Sequence, residues 1–381
     1  MAFNDFIKYA NNPVLEPDPL TWEGSQIQDG CTIKEGGIYY RFYVAGSGPY
    51  NGSGRGSIGL ATSSEGDYPY TWTKQGIVLY STSEEVFMGA ARVIKMQDGS
   101  WRMYYQTYAT SLGTVAGYYA TATAGGFPST WTRQGVIFTR GTGWEGSMVQ
   151  PQCYIPSWES PDGYWHLLYA GYDGTHWRTG HATATDGLSW TKDTANNPVL
   201  DLGNSGDWDA WDALAVGWIK VNGIYYITYD GKKVALEHSS PDYSIWRVGY
   251  CTTLDFVTFN RYGVNGLILS ETPSNAWETP YYGNEGADML YDATRDAIDL
   301  FFLMSQVSNE SQGGSAYRMG VATLLNQTML EIPDMTVATA MDSFALIAAQ
   351  TTLRHYPFTR LDHPEITGTI KKHSGSGWIT Q

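Results

Sequence analysis

The residues of this 381-residue chain best suited to chemistry are carboxyls set among amides and aromatic rings. Asp29 stands seven residues after the pair Trp22-Glu23. Asp212 follows the pair Trp208-Asp209, while Glu285 and Asp288 follow Trp277-Glu278. Near equivalent points lie Gln26, Gln28, Arg92, Gln150, Gln152, Trp211, Tyr281 and Tyr282. Acids crowded into a partly dry site acquire separated pKa values through desolvation and like-charge repulsion. One carboxyl then holds a proton while its neighbour is ionised, which is what acid–base work at a carbon–oxygen bond requires. Asp29 with either Glu285 or Asp212 supplies such a pair, and the sequence leaves that choice open. Aromatic faces pack on sugar C–H surfaces while amides and carboxylates bond hydroxyls, so an oligo- or polysaccharide is the ligand class this set fits. His176, on a loop ahead of Trp177, is a further candidate contact, with an ordinary loop histidine as the alternative.

These positions are far apart in the chain, so a repeat must bring them together. The pairs Trp22-Glu23, Glu84-Glu85, Trp144-Glu145, Trp208-Asp209 and Trp277-Glu278 recur about sixty to seventy residues apart. An aromatic strand follows each, as in Gly37-Ile38-Tyr39-Tyr40 and Gly223-Ile224-Tyr225-Tyr226, with a looser Ala297-Ile298-Asp299-Leu300 in the fifth unit. A small-residue strand comes next, as in Gly59-Leu60-Ala61-Thr62 and Gly180-His181-Ala182-Thr183. Turns such as Asp186-Gly187 then lead into a further strand in the first four units. The pattern predicts an all-β, five-bladed β-propeller with four antiparallel strands per blade over residues 1–330. Its blades fall near 22–80, 84–138, 144–200, 208–269 and 277–325. Asn11-Asn12-Pro13-Val14-Leu15 recurs as Asn196-Asn197-Pro198-Val199-Leu200, so the N-terminal segment is expected to close the last blade, pairing an edge otherwise left open. Innermost strands converge on the axis, so the seventh residue after each pair gathers there: Asp29, Ala91, Pro151, Ala215, and Asn284 or Asp288. Residues 331–381 break the pattern with a small-residue apolar stretch and a basic tail, read as a strap, an oligomer contact or an attachment segment.

Composition narrows the partners. A net charge of −15 with 23 basic residues gives no electrostatic footprint for nucleic acid, and no apolar run approaches a membrane span. Cys31, Cys153 and Cys251 fall within strands and read as buried free thiols. No leader-like segment opens the chain, and nothing assigns a compartment. No cofactor is implied: His, Cys and Asp do not cluster at metal-ligand spacing, and the axis leaves room for a structural ion or an ordered water. The pair acids recur in every unit and read as architecture, Glu145 being the first candidate exception. Arg178, Arg247 and Arg318 recur likewise and are expected to bridge blades, while His166 and His181 read as packed core.

Asp29-Gly30-Cys31-Thr32-Ile33 followed by Tyr39-Tyr40, the Asn-Pro-Val-Leu lead-in and the Asp186-Gly187-Leu188-Ser189-Trp190-Thr191 turn resemble five-bladed propeller glycoside hydrolases. These are the arabinanases, β-xylosidases and arabinofuranosidases and, more distantly, levanases and invertases. The resemblance implies a glycosidase with Asp29 as general base, or as nucleophile in retaining members. The chain departs from that pattern at Gly89-Ala90-Ala91-Arg92 and Gln150-Pro151-Gln152, where carboxyls are expected. Glu285-Gly286-Ala287 resembles the family acid motif but lies on the fifth blade, and Asp212 is the other candidate acid. Two readings follow: a glycoside hydrolase using Asp29 with Glu285 or Asp212, or a catalytically inactive carbohydrate-binding or assembly module on the same fold.

Overall fold

A computed structural model describes residues 3, 5–24, 26–46, 56–234, 246–262, 266–269, 284–306, 316–325, 371–374 and 377–380. Within Met1–Asn326, one of two compact units, five four-stranded antiparallel sheets form a β-propeller. The first blade is built from Ile27–Glu35, Ile38–Ala45, Ser57–Ser64 and Thr73–Leu79. The second uses Glu85–Lys95, Trp101–Ala109, Thr114–Ala122 and Thr132–Phe138. Met148–Ile155, Trp165–Tyr172, Trp177–Ala184 and Thr191–Lys192 make the third, and Asp212–Val221, Ile224–Lys232, Arg247–Thr253 and Phe259–Arg261 the fourth. In each blade the first strand is innermost, and it packs against the first strands of both neighbouring blades, fifth against first included, which closes the ring.

The fifth blade takes three strands from Asn284–Asp292, Ala297–Gln306 and Ala316–Leu325, and its fourth from the other end of the chain, Ile7–Lys8. The repeated Asn-Pro-Val-Leu segment explains how. The Asn12 carboxamide accepts from Val321 N (2.9 Å) and donates to Val321 O (3.0 Å), while Leu15 bridges Met319. In the third blade Asn197 makes the same two bonds to His181 N and O, at 2.7 and 3.0 Å, and Leu200 bridges Thr179. One side-chain amide thus stands in for a strand residue in both blades.

The recurring pair has a mechanical meaning. Its acid is buried and receives a tyrosine hydroxyl from the second strand and a cation from the fourth, latching the blade edge to edge. Glu23 takes Tyr43 and Lys74, each at 2.5 Å. Glu85 takes Tyr105 and Arg133 at 3.0 Å each, and Asp209 takes Tyr229 and Arg261 at 2.8 and 2.9 Å. Glu145 takes Lys192 at 2.7 Å, so it follows the architectural rule as well. The pair tryptophan lies over the same tyrosine and presses on the third strand. A Cβ at Gly59, Gly180 or Gly249 would come within 2.7, 2.7 and 2.3 Å of Trp22, Trp144 and Trp208. That contact, rather than backbone freedom, accounts for the repeated glycine.

The three cysteines are free and buried, and among the described residues no helix is long and apolar enough to cross a membrane. Arg178 pairs with Asp173 and Asp201 of its own blade, and Arg318 with Glu16 of the N-terminal arm. In the second unit, Gln327–Gln381, the described part is a hairpin of Lys371–Ser374 and Gly377–Thr380. The apolar stretch Val337 to Thr352 lies outside the described residues.

Candidate active site

Every inner strand breaks register at the same level. The irregularities fall between Gln28 and Gly30, Gly89 and Arg92, Pro151 and Cys153, Ala215 and Gly217, and Glu285 and Asp288. A bulge leaves residues unpaired and re-aims them, so five bulges at one level turn side chains and carbonyls toward the axis. The residues released are Asp29, Ala90 with Ala91, Gln152, Val216, and Gly286 with Ala287. Fixed counting from the pairs therefore places the first two blades well and slips by one in the third and fourth, where Gln152 and Val216 replace Pro151 and Ala215. Pro151 instead faces the second blade, where a Cβ on Gly117 would meet it at 2.8 Å.

Arg92 spans this level. Its guanidinium donates to Gly30 O at 2.6 Å, Ala91 O at 3.0 Å and Val216 O at 3.0 Å, joining the first, second and fourth blades. Asp288 is likewise occupied: it accepts Thr32 N at 2.7 Å and Arg41 Nη1 at 3.4 Å, bonding the fifth blade to the first. Asp212 accepts Trp177 N at 2.8 Å and lies 3.4 Å from Lys232 Nζ, tying the fourth blade to the third. His176 bonds Trp211 O through Nδ1 at 2.8 Å and sets its ring edge-on to Trp211, centroids 4.2 Å apart.

Three carboxyls remain, and they meet around Gly286. A Cβ on that glycine would lie 2.8 Å from Asp29 Oδ1, and its φ of +65° also favours a residue without one. Gly286 N donates to Asp230 Oδ2 at 2.9 Å, and Glu285 is the adjoining residue. Asp29 and Glu285 are half-buried and keep a face open, whereas Asp230 is buried and its Oδ1 has no partner. Burial and then the Asp29 charge push Glu285 up to about 7, against a smaller opposing pull from Lys232. Burial raises Asp230 well above the usual carboxylate range, helped by the charges of Glu285 and Asp29. Asp29 is also raised by burial, but Arg92 and Arg41 pull it back. The site thus holds one carboxyl supported by two guanidiniums and two whose strongest charged influence is a neighbouring acid, the separation acid–base chemistry uses.

Of the residues singled out in the sequence, the fold brings together Asp29 and Glu285, with Arg92 beneath. Gln28 and Gln26 lie 3.4 Å apart through their amides, as do Gln152 and Gln150. Asp212, Asp288 and His176 are taken up by contacts between strands and loops, and Tyr281 and Tyr282 lie outside the described residues. Two polar residues escaped the sequence reading, Asp230 and Gln106. Each directly follows a latch tyrosine, Tyr229 or Tyr105, in a strand whose aromatic repeat signals only packing. Aligning the blades on those tyrosines would have exposed them.

No family model matches the sequence, and no curated protein does. Solved structures share the fold. A candidate glycosidase from Bacteroides thetaiotaomicron gives a TM-score of 0.64 at 16% identity, with 85% of this chain and 97% of that one covered. A structure reported for the GH130 family, mannoside phosphorylases that include glycoside hydrolases targeting β-1,2 mannosidic linkages in Candida mannan, gives 0.61 at 17%, covering 84% and 94%. The β-1,2-mannobiose phosphorylase of Listeria innocua, in complex with β-1,2-mannobiose, gives 0.60 at 14%, covering 86% and 98%. The neighbours in fold are thus propellers of the glycoside hydrolase and phosphorylase kind, at identities where the likeness is one of architecture.

Proposed function

We propose that this protein hydrolyses a glycosidic bond in its central funnel, with Glu285 as general acid and Asp29 as general base. The observation that carries the reading is that Asp29 abuts Gly286, the residue next to Glu285, so that two open-faced carboxyls feel each other's charge in unequal electrostatic settings. Glu285, held up to about 7, keeps its proton at working pH and delivers it to the leaving oxygen. Asp29, raised by burial but supported in its charged form by Arg92 and Arg41, is assigned as the base and takes the proton of the attacking water. Asp212 is the weaker choice of acid: burial raises it as well, but its carboxyl is already taken up by the Trp177 N–H and Lys232, which favour its charged form. Carbohydrate as the substrate is supported by the neighbours in fold, which include a mannobiose complex.

Water, rather than phosphate, is the acceptor in this reading. The cations that act on the acids are engaged: Arg92 by three carbonyls, Lys232 by Asp212 and by the Trp246 ring 3.7 Å away, and Arg41 by Asp288 at 3.4 Å. The test is a panel of aryl glycosides and oligosaccharides, assayed with and without inorganic phosphate. Asp29→Asn and Glu285→Gln should each lower kcat by about 10²–10⁴-fold while the fold is retained. Turnover unaffected by both substitutions would refute the assignment. Sugar binding with no turnover in the wild type would leave a binding module.

A further inference from the structure

The funnel has a second layer, set in the first four blades by the residue that follows the latch tyrosine of the second strand, of which the reaction above uses Glu285 alone. There each blade presents one cross-strand pair: Gln28 with Val44, Gly89 with Gln106, Gln150 with Ala170, Leu214 with Asp230, and Glu285 with Leu303. Paired residues share a face of their sheet. That face looks toward the next blade. Gln28 lines a groove with Phe87 of the second blade, Asp230 takes Gly286 N of the fifth, and Glu285 feels the charge of Asp29 on the first. Every blade therefore contributes a single polar group to the layer, and the chemistry is partitioned. Blades one to three supply the amides Gln28, Gln106 and Gln150; blades four and five supply the acids Asp230 and Glu285.

We infer that the amide arc is a subsite for an uncharged sugar unit, held by its hydroxyls opposite the acid arc. A carboxamide donates and accepts at once, which matches a hydroxyl group and gives no charge complement to a uronate, sulfate or phosphate. The ligand is called for by Gln106 of the arc and by Gln152, the bulge residue whose amide lies 3.4 Å from that of Gln150. Gln106 and Gln152 are 4% and 5% exposed, yet the carbonyl oxygen of each has no hydrogen-bond partner. Buried acceptors are almost always satisfied, and a hydroxyl donor entering the funnel would satisfy both. Anionic sugars face the opposite prospect, since the ionised Asp29 repels them while Arg92, Lys232 and Arg41 are already bound, Arg41 to Asp288.

This inference rests on the hydrolase reading for the identity of the funnel but not for its result. The experiment is isothermal titration and steady-state kinetics on neutral hexosides and pentosides, each paired with its uronide counterpart. Gln106→Leu and Gln152→Leu are tested beside Gln106→Glu, with Tm as the control for folding. Neutral members should be preferred, and each leucine variant should weaken Kd or raise KM by about tenfold with kcat little changed, the worth of one lost uncharged hydrogen bond. Gln106→Glu should weaken the neutral ligand without admitting the uronide. Preference for uronides, or unchanged Kd and KM in both leucine variants that fold, overturns the subsite. Binding of neutral sugars that depends on Gln106 but gives no turnover keeps the subsite and refutes the hydrolase. Turnover that ignores both amides does the reverse. Binding of no panel member overturns the subsite as well.

Discussion

At the scale of single residues, the three carboxyls around Gly286 should titrate as a coupled set. Glu285 is raised first by burial and then by the Asp29 charge, so Asp29→Asn should move Glu285 downward from about 7, read by carboxyl-selective infrared or carbon NMR titration. In the wild type, activity should fall as pH rises through about 7, because the acid loses its proton. Asp230 gives a stability test. Its folded-state pKa lies above the unfolded value, so the stability it contributes is complete in acid and declines as pH rises from the unfolded value toward the folded one. Asp230→Asn keeps an acceptor for Gly286 N and removes that decline. The variant should therefore gain on the wild type in urea midpoints between pH 5 and pH 8; a parallel pH dependence would mean that Asp230 does not bear the proton. Asp29 and Glu285 were legible because short motifs surround them. Asp230 and Gln106 were not, because their meaning depends on which face of a second strand meets the next blade. Asp212 and Asp288 lie close to where counting placed them, but backbone N–H groups of neighbouring blades occupy them.

At the scale of the blade, the repeat was readable as five units, while its purpose was not. The pair acid meets its tyrosine twenty residues on in three blades and its cation about fifty on, distances at which periodicity says nothing about contact. The tryptophan-on-glycine contact predicts a sharp contrast. Gly249→Ala forces a Cβ to within 2.3 Å of Trp208 and should cost about 1–3 kcal/mol, as overpacking does. Gly125→Ala, with nothing within 4 Å of the added Cβ, should stay within about 0.5 kcal/mol of wild type in the same urea titration. Equal effects would remove the packing explanation for the repeated glycine. The third blade carries a second testable device, a file of Asp162, His166, His181 and Asp193. The two rings share a 2.9 Å bond, the aspartates sit 2.9 and 3.6 Å from their outer nitrogens, and Phe256 of the fourth blade packs on His166. Burial, then His166, depresses His181 from 6.5 to about 4, so its stabilising contribution is complete above 6.5 and is lost as pH falls through about 4. That depression is worth about 3 kcal/mol at most. His181→Gln should flatten the acid limb of the Tm profile between pH 6.5 and 4, and an unchanged limb would assign acid unfolding elsewhere.

At the scale of the whole propeller, stability depends on where the ring is fastened. The resemblance between Asn11–Leu15 and Asn196–Leu200 made the closure legible, since a segment matching the end of a blade had no blade beside it in sequence. What lay beyond reach was how deeply the N-terminal arm is anchored. Phe3 stacks on Tyr226 of the fourth blade, centroids 4.3 Å apart, and Phe3, Phe6 and Leu15 are all buried. At about 1.5–3 kcal/mol for each large apolar side chain, the arm contributes an amount comparable with the net stability of a domain. Asn12→Ala and Asn197→Ala remove the same two backbone bonds from matching sites, so each should cost about 1–3 kcal/mol. Deleting residues 1–15 is a different event. It removes the fourth strand of the fifth blade, exposes the edge of Ala316–Leu325 and uncovers Tyr226 together. The truncated chain should lose cooperative unfolding and pair its open edge with other copies, read as a broadened urea transition and concentration-dependent light scattering. Adding a peptide of residues 1–15 in trans should restore the sharp transition. If the truncated chain instead unfolds cooperatively near the wild-type midpoint and stays monodisperse, the ring is held by its inner strands alone and the arm is only a cover.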